Sequence, residues 1–336
     1  MRPADLLCLT ESGLCCPPGG FHIDPLRPVE RALVTHAHAD HARRGHDRVM
    51  ATRETLDMMR LRYGEDFAGT PQEARLGETV EIGGVRVSFH PAGHVLGSAQ
   101  IRLEWKGLTI VVSGDYKCRP DPTCRAFEPV PCDVFVSEAT FALPVFRHPD
   151  DRGEVDKLIA STRQFPERAH IVGVYALGKA QRLIRLLRQS GYDRPIYIHG
   201  ALQALCDYYC SQGIELGRLE PATLERGDKG AFAGAIVLGP PSAFVDRWAR
   251  RFPEPLAAFA SGWMRIRQRA RQRGVELPLV ISDHCDWPEL TATIAELRPD
   301  EVWVTHGREE ALVRWCELNG IAARPLHLVG YEEELE

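Results

Sequence analysis

The sequence predicts a mixed α/β fold, in which a split outer domain carries a second α/β domain as an insertion. Three observations support this prediction. Residues 1 to about 140 contain short apolar strands separated by turns. Residues from about 150 to 275 alternate apolar strands with helical segments, a pattern typical of a parallel sheet. Residues 276–336 return to the first pattern. The two ends of the chain therefore form the outer domain together.

The outer segments contain two hairpin turns and several buried strands. Gly83-Gly84 and Lys106-Gly107 each separate two apolar runs, as the turn of a two-residue β-hairpin does. The predicted strands are 31–35, 80–82, 85–89, 101–105, 109–112, 134–136, 279–281 and 302–304.

The inserted segment alternates strand and helix. Residues 178–188 have a helical period, with arginines on one side and apolar residues on the other. The remaining predicted elements are strands 171–174, 195–199 and 235–238, a helix near 200–212 and an arginine-rich helix over about 262–273.

Composition and charge exclude several classes of protein. The 336 residues are 44% hydrophobic and 26% charged, a balance that excludes wholesale disorder and coiled coil. The net charge of −5 is unlike the strongly basic balance of a generic nucleic-acid binder, although bound divalent metals would add positive charge. No apolar run approaches the roughly 18 to 20 residues of a membrane helix. The N-terminus is a poor secretion signal, so we expect a cytoplasmic protein with free thiols.

The densest set of ligand-type side chains is Thr35-His36-Ala37-His38-Ala39-Asp40-His41, directly after an apolar strand. In a short loop leaving a strand, His36 and His38 can converge on one metal. Asp40 and His41, on the following turn, can then reach a second. Imidazole together with carboxylate suits zinc, manganese or iron better than calcium or magnesium. The motif therefore predicts a transition-metal site.

Three more clusters follow predicted strands and supply the further ligands that two metal sites need. His94 follows strand 85–89, Asp115 follows strand 109–112, and His306 follows strand 302–304. A single histidine at a strand end is most often structural, but four such clusters in one chain favour a binuclear centre. Asp115 is suited to bridge two metals because a carboxylate has two oxygens.

This pattern resembles the metallo-β-lactamase superfamily, whose members form a four-layer αββα sandwich with a binuclear site at the strand ends. Asp24, in Phe21-His22-Ile23-Asp24-Pro25, matches the early aspartate that orients the histidine loop in that superfamily. The ligands that the resemblance implies are His36, His38 and His94 for one metal, Asp40, His41 and His306 for the other, and Asp115 as the bridge.

Three further motifs are similar to those of the β-CASP nucleases: Ser137-Glu138-Ala139-Thr140, Ser282-Asp283-His284-Cys285-Asp286 and Val304-Thr305-His306-Gly307. The resemblance implies a discontinuous metallo-β-lactamase core over 1–142 and 276–336, with a β-CASP cap inserted at 143–275. Within this group the chain looks most like the bacterial ligase-associated DNA exonucleases. That narrower resemblance rests on the stretches 16–25, 175–181, 260–264 and 282–287. Cys285 departs from the usual small residue, such as alanine.

The same resemblance gives four residues a catalytic role. Phosphodiester hydrolysis needs an activated water, neutralisation of the phosphoryl oxygens and a proton for the leaving oxygen. The water would lie near Asp40 and Asp115. His284 would contact the phosphate or protonate the leaving group. Glu138 would orient the other ring nitrogen of His284 and favour its protonated form.

Four residues of the inserted domain are candidates for contact with nucleic acid. Lys179 stands at the start of a predicted helix, where backbone N–H groups and the helix dipole favour a phosphate. Trp263 would offer a stacking platform for a base, beside Arg265 and Arg269, which stack at i, i+4 on the predicted helix. The alternative interpretation of these arginines is a solvated helix face.

We therefore expect a two-metal nuclease that hydrolyses the phosphodiester bonds of DNA, acting as a single-strand exonuclease in DNA repair. A cleft between core and cap that admits one strand would suit exonucleolytic trimming. The short stretch after His306 leaves no room for a further C-terminal domain, which favours DNA. The alternatives are an RNA-processing β-CASP ribonuclease, a non-catalytic nucleic-acid-binding scaffold and a small-ester hydrolase on the same core.

The expected cofactors are two divalent metal ions, zinc, manganese or both. The expected partner is DNA, in its single-stranded form. The resemblance adds a functional association with an ATP-dependent DNA ligase and a helicase. No association with a membrane is expected.

Overall fold

The computed structural model describes residues 2–223, 232–244, 248–252 and 254–326. The chain divides into two compact units. Unit 1 comprises Met1–Arg147 and His284–Glu336, and unit 2 comprises His148–Asp283. The expected core segments ended at 142 and resumed at 276, whereas the units divide after 147 and before 284. Residues 327–336 of the expected core lie outside the described residues.

The first sheet of unit 1 contains six strands in the order of the chain. They are β1 (Cys8–Thr10), β2 (Gly13–Cys16), β3 (Phe21–Ile23), β4 (Arg31–Leu33), β5 (His46–Ala51) and β6 (Ala68–Glu73). Strands β1 to β3 pair antiparallel, and β3 to β6 pair parallel.

The second sheet of unit 1 contains seven strands. They are β7 (Thr79–Ile82), β8 (Val85–Pro91), β9 (Ala99–Trp105), β10 (Leu108–Val112), β11 (Val134–Ala139), β18 (Glu301–Gly307) and β19 (Ala322–Pro325). Their spatial order is β19-β18-β11-β10-β9-β8-β7. The pairs from β19 to β10 are parallel, and the pairs from β10 to β7 are antiparallel.

Unit 1 has four layers, because both of its sheets carry buried apolar side chains on both faces. Leu14 and Ile23 of the first sheet share one buried cluster with Val87 and Ile110 of the second, so the two sheets pack face to face. The opposite face of the first sheet is covered by helix α1 (Arg53–Tyr63). Helices α6 (Trp287–Leu297) and α7 (Glu309–Leu318) cover the opposite face of the second. The layer order is helix, sheet, sheet, helices.

Both predicted hairpins are confirmed. Ile82 pairs with Val85 across Gly83-Gly84, and Trp105 pairs with Leu108 across Lys106-Gly107. All four turn residues have positive φ, between 48° and 83°. This is the backbone of a type I′ turn, whose twist matches that of the flanking strands.

Unit 2 is built on an all-parallel sheet, as the alternation of strand and helix predicted. Its strands are β12 (His170–Gly173), β13 (Ile196–Ile198), β14 (Leu219–Pro221), β15 (Ile236–Gly239), β16 (Leu256–Ala260) and β17 (Leu277–Leu279), in the spatial order β14-β13-β15-β12-β16-β17. Its helices are α2 (Asp151–Gln164), α3 (Lys179–Gln189), α4 (Gly200–Ser211) and α5 (Arg267–Gln272).

Two sequence predictions in this region are wrong. The arginine-rich stretch is not one helix, because Ile266 has extended backbone angles (φ −93°, ψ 99°) between a 3-10 turn at Gly262–Arg265 and α5. Arg265 and Arg269 therefore do not share a continuous helix face. The strand predicted at 279–281 lies at Leu277–Leu279 and pairs with β16, so it belongs to the sheet of unit 2.

Among the described residues, none of the helices is both long enough and apolar enough to cross a membrane.

Candidate functional site

Four predicted ligands meet where chain segments leave the strands of unit 1. His36 and His38 lie in the segment after β4, His94 follows β8, and Asp115 follows β10. Nε2 of His36 and Nε2 of His94 lie 3.1 and 3.0 Å from Nδ1 of His38. The same two Nε2 atoms lie 3.4 and 3.7 Å from Oδ2 of Asp115. One ligand atom from each residue lies within 4.8 Å of the others.

Asp24 fixes the start of the histidine segment. Its Oδ1 accepts a hydrogen bond from Thr35 N at 2.8 Å. Its Oδ2 accepts one from Thr35 Oγ1 at 2.6 Å and one from His41 Nδ1 at 2.8 Å. Thr35 Oγ1 also lies 3.0 Å from Nδ1 of His36. Both rings are thereby held with Nε2 directed away from Asp24 and Thr35, as outer hydrogen bonds commonly orient metal-binding histidines.

Gly114 allows Asp115 to approach this segment closely. Its φ is +56°, and a Cβ atom there would lie 2.7 Å from Cβ and Oγ1 of Thr35. Glycine is the residue that meets both demands, because it tolerates the left-handed region and has no side chain to clash. The Ser113-Gly114-Asp115 sequence is therefore required by packing as well as by the ligand.

The second predicted set of ligands, Asp40, His41 and His306, is less tightly clustered than the first. Nε2 of His41 lies 3.7 Å from Oδ2 of Asp40 and 3.6 Å from Oδ2 of Asp115. The His306 ring stacks on the His41 ring, with centroids 5.0 Å apart and planes 28° apart. Among the described residues, Asp40, His41 and His306 do not form a group whose ligand atoms all lie within 4.8 Å of one another. Asp115 contacts histidines of both sets.

A bulge between β11 and β18 directs His306 into the site. Glu138 pairs with Thr305, but Ala139 pairs with Gly307, so His306 is the extra residue. Its φ of +55° is unusual for a residue with a side chain. Bulges at the ends of strands commonly re-aim a side chain toward a site. The regular alternation of the strand would not have placed this ring against His41.

Burial and nearby charges shift the pKa values of His36, His306 and His41 in different directions. Burial and the charge of His41 lower the pKa of His36 well below its ordinary value and that of His306 to about 4. Burial alone would also lower the pKa of His41, but the carboxylates of Asp115 and Asp40 outweigh it and raise that pKa to about 10. His36 and His306 are therefore neutral, the form that ligates a metal. His41 would have to release its proton to do so.

The carboxyl groups of Asp115 and Asp40 are ionised. Burial acts to raise the pKa of Asp115, but the charges of His41 and His284 outweigh it and hold the pKa well below its ordinary value. Burial likewise acts to raise the pKa of Asp40, and His41 overcomes it and lowers the pKa. Both groups are thus in the form that binds a cation.

These donors fit divalent metal. The group formed by His36, His38, His94 and Asp115 offers three imidazole nitrogens and one carboxylate oxygen at close range. That donor set suits zinc or manganese.

Glu138 and His284 lie beside this group. Nδ1 of His284 donates to the Glu138 carboxylate, 2.9 Å from Oε1 and 3.0 Å from Oε2. Glu138 is fully buried in β11, and its Oε1 also accepts a hydrogen bond from Tyr116 N at 2.9 Å. The His284 ring lies 4.7 Å from the His94 ring, between centroids. This places an oriented imidazole at the edge of the metal-binding group.

In unit 2, Lys179 lies inside the fold rather than on its surface. Its side chain is 5% exposed, and its Nζ lies 3.3 Å from Oδ1 of Asp283 and 4.6 Å from the centre of the Tyr175 ring. Asp283 therefore compensates much of the charge that a phosphate would meet.

Trp263 and Arg269 are together in unit 2, although the helix predicted to join them is interrupted. The guanidinium carbon of Arg269 lies 3.7 Å from the centre of the Trp263 ring. This is a cation–π contact between a half-buried indole and an exposed cation. Arg265 is exposed at the end of the 3-10 turn.

Sequence reasoning missed two residues that support the site. Thr35 joins Asp24 to His36, and its place directly before the first histidine was an available signal. Tyr116 holds Glu138 through its backbone N–H. A backbone contact of this kind carries no mark in the sequence.

Fold and site together define an α/β protein with a cluster of histidines and aspartates that could hold divalent metal. No family model matches the chain. The chain is 25% identical over 328 residues to a probable DNA ligase of Opitutus terrae, covering 96% of this chain and 31% of the ligase. It is 32% identical over 111 residues to endoribonuclease YSH1 of Candida glabrata, covering 32% of this chain and 14% of that protein.

A third relative is an RNase J-like protein of Methanocaldococcus jannaschii, 26% identical over 207 residues, with 52% of this chain and 48% of that protein covered. The chain thus spans less than half the length of these three relatives. A solved structure of a protein of unknown function from Enterococcus faecalis V583 is similar in fold, with a TM-score of 0.53 and 15% identity. The similarity covers 82% of this chain and 74% of that one.

These relatives support the β-CASP group of the metallo-β-lactamase superfamily as the class that this chain resembles. They do not distinguish the ligase-associated subgroup from the others.

Proposed function

We propose that the protein is a metal-dependent nuclease that hydrolyses phosphodiester bonds of single-stranded DNA, as an exonuclease in DNA repair. The observation that carries the proposal is the pairing of two features in unit 1. One is the compact group of His36, His38, His94 and Asp115. The other is the Glu138–His284 hydrogen bond beside it. A metal-binding group alone would serve many kinds of hydrolase. An imidazole oriented beside it by a carboxylate can also give a proton to an anionic leaving group.

In this proposal unit 1 is the metallo-β-lactamase core and unit 2 is the β-CASP cap. The four layers of unit 1 and the all-parallel sheet of unit 2 support that assignment. The residues that would hold two divalent ions are His36, His38, His94, Asp40, His41, His306 and Asp115. When bound, such ions neutralise the phosphoryl oxygens and activate the attacking water.

The protein's own residues orient the reacting groups and move a proton. Asp24 and Thr35 hold the rings of His36 and His41 in place. Glu138 accepts from Nδ1 of His284, which leaves Nε2 as the ring atom that donates to the phosphate or to the leaving oxygen. A carboxylate beside an imidazole favours the protonated ring that this donation requires. His284 is thus the proposed general acid, and Glu138 positions it.

The proposed contacts with the strand lie in unit 2. The Trp263–Arg269 pair offers an aromatic face and a cation, the combination that binds single strands by stacking and charge. The exposed Arg265 adds charge nearby in the chain. A phosphate contact by Lys179 would have to compete with Asp283.

DNA is preferred as the substrate because similarity to the probable DNA ligase extends over 96% of this chain. An association with a DNA ligase, and with a helicase, belongs to the same proposal. The second candidate is an RNA-processing nuclease. It is favoured by the similarity to endoribonuclease YSH1 and to the RNase J-like protein.

A time course on matched DNA and RNA oligonucleotides tests the proposal. Each strand is labelled at its 5′ or its 3′ end and incubated with manganese or zinc, beside an Asp115→Ala variant as control. We expect a ladder from one end of the DNA that is absent from the variant. Cleavage of RNA alone would transfer the function to RNA processing. Cleavage of neither strand, with metal bound, would contradict the nuclease proposal.

A further inference from the structure

Two cysteines of unit 1 lie next to the residues that hold His284. Sγ of Cys285 is 3.4 Å from Sγ of Cys118, and Sγ of Cys118 is also 3.1 Å from Oγ1 of Thr293. Cys285 directly follows His284 in the chain. All ten cysteines are free thiols in this structure. The nuclease reaction described above uses neither sulfur.

The two segments that carry these thiols are already joined on both sides of the sulfurs. Cys285 N donates a hydrogen bond to Tyr116 O at 2.9 Å. Nη2 of Arg119 lies 2.7 Å from Oδ2 of Asp286. A disulfide requires the sulfurs to approach to about 2.05 Å, with the flanking backbone close enough to allow it. Because the segments are held together at the neighbouring positions, the two sulfurs are kept close enough to react.

We propose that Cys118 and Cys285 are a site of reversible disulfide formation that controls the position of His284. The oxidant is a small peroxide. Cys285 is buried, whereas Cys118 is partly exposed, so Cys118 is the thiol that a peroxide reaches first. The effect on catalysis rests on the proposed function, but formation of the disulfide does not.

The chemistry balances with hydrogen peroxide as the two-electron oxidant. The Cys118 sulfur attacks one peroxide oxygen and the O–O bond breaks. The product is a sulfenic acid on Cys118, and the first water leaves with the thiol proton. The Cys285 sulfur then attacks the Cys118 sulfur and the S–O bond breaks. The departing hydroxide takes the Cys285 proton as the second water. Two thiols are oxidised, and one peroxide is reduced to two waters. A dithiol reductant reverses the bond by exchange.

Closure moves the segment that carries His284 relative to the one that carries Tyr116. The sulfurs must approach from 3.4 Å to about 2.05 Å, a contraction of more than 1 Å. Tyr116 N holds the same Glu138 oxygen that accepts from His284. A misplacement of about 1 Å can cost on the order of a hundredfold in rate. We expect oxidation to lower the cleavage rate at least about tenfold.

The experiment treats the full-length, metal-loaded protein with hydrogen peroxide and measures three things. Peptide mass mapping without reductant identifies the linked cysteines. A non-reducing denaturing gel reports compaction, because a bond between these cysteines closes a loop that contains all of unit 2. The initial rate of DNA cleavage is measured before oxidation, after it, and after added dithiothreitol. Cys118→Ser and Cys285→Ala are the test variants. Cys15→Ser is the matched control, since Cys15 pairs with Cys8 across β1 and β2.

The expected result is one linked peptide joining Cys118 and Cys285, a faster-migrating band and a reversible fall in rate. The Cys15→Ser control should give the same three results as the unsubstituted protein. Both test variants should keep the reduced rate and lose the linkage and its reversible inhibition. Linkage of other cysteines only, or none, would overturn the site. Linkage with an unchanged rate would overturn control of His284. Absence of cleavage by the reduced protein would contradict the proposed function, while mass mapping would still decide the disulfide.

Discussion

Glu138 and His284 form a hydrogen bond across 146 positions of the chain, with Nδ1 of the imidazole 2.9 Å from Oε1 of the carboxylate. Glu138 is fully buried in the second sheet of unit 1, while His284 is partly exposed. A carboxylate buried at this distance orients the imidazole that we propose as the general acid.

The Glu138→Gln substitution should therefore lower the cleavage rate about 10²- to 10⁴-fold, because it removes the charge that favours a protonated His284 but keeps a hydrogen-bond acceptor. The measurement is kcat on labelled single-stranded DNA, with the bound metal counted in the same samples. Metal content should not change. Glu128→Gln is the matched control, since Glu128 accepts from Nδ1 of His90 at 3.1 Å in a more exposed glutamate–histidine pair. Equal rates for the two variants would contradict the role of Glu138.

Gly114→Ala should destabilise unit 1 because Gly114 meets two constraints at once. Its φ is +56°, and the added Cβ would meet Thr35 at 2.7 Å. The backbone conformation costs about 1–2 kcal/mol and the clash about 1–3 kcal/mol more. Gly107→Ala is the control for the first cost alone, since Gly107 has a φ of +83° with no atom within 4 Å of the new Cβ. Urea unfolding of both variants gives the difference. A loss for Gly114→Ala no greater than that of the control would be inconsistent with close packing on Thr35.

Trp263→Ala should weaken binding of single-stranded DNA. Stacking of a base on an aromatic side chain contributes about 1–3 kcal/mol, so we expect Kd to rise about 5- to 150-fold. Fluorescence anisotropy measures Kd with a labelled oligonucleotide whose backbone is non-hydrolysable. Trp105→Ala removes an indole with a similar cation contact, from Lys106 at 4.2 Å in unit 1, and should leave Kd nearly unchanged. If the Trp105 variant weakened binding as much as the Trp263 variant, stacking on Trp263 would not be the cause.

His170 should make unit 2 less stable in acid. Burial lowers the pKa of His170, which is fully buried at the start of β12, with Nε2 2.9 Å from Ser161 Oγ. The unfolded chain therefore binds this proton more readily than the folded one. The stability that the neutral His170 ring contributes to unit 2 is complete above the ordinary pKa of 6.5. It is lost as the pH falls below that value.

Amide hydrogen exchange in β12, measured above and below pH 6.5, tests this dependence. His170→Asn should flatten it. His199→Asn is the control, because asparagine preserves the N-cap that His199 provides for α4. A pH dependence that persists in His170→Asn would assign the acid sensitivity to other groups.

The sequence predicted those features of the fold that depend on local patterns. The two hairpins follow from Gly83-Gly84 and Lys106-Gly107, because the three glycines adopt positive φ at low cost. The parallel sheet of unit 2 follows from the alternation of apolar strands and helical segments. The proximity of His36, His38, His94 and Asp115 was also predictable, because each follows the end of an apolar strand.

Features that depend on tertiary contacts were not predictable in this way. The extended backbone of Ile266 interrupts a stretch whose composition favours helix. Burial of Lys179 against Asp283 depends on a pairing across more than a hundred positions. The bulge that turns His306 toward His41 arises from a register shift between β11 and β18, and no local pattern in either strand marks it.

The most direct measurement is to strip the protein with a chelator, restore manganese stepwise, and follow bound ions per chain and the cleavage rate of single-stranded DNA together. We expect no cleavage in the stripped protein and full activity as binding approaches two ions per chain. Asp115→Ala, which removes the carboxylate that contacts histidines of both sets, should bind less metal and stay inactive. Cleavage by the stripped protein, or none with two ions bound, would contradict a metal-dependent nuclease.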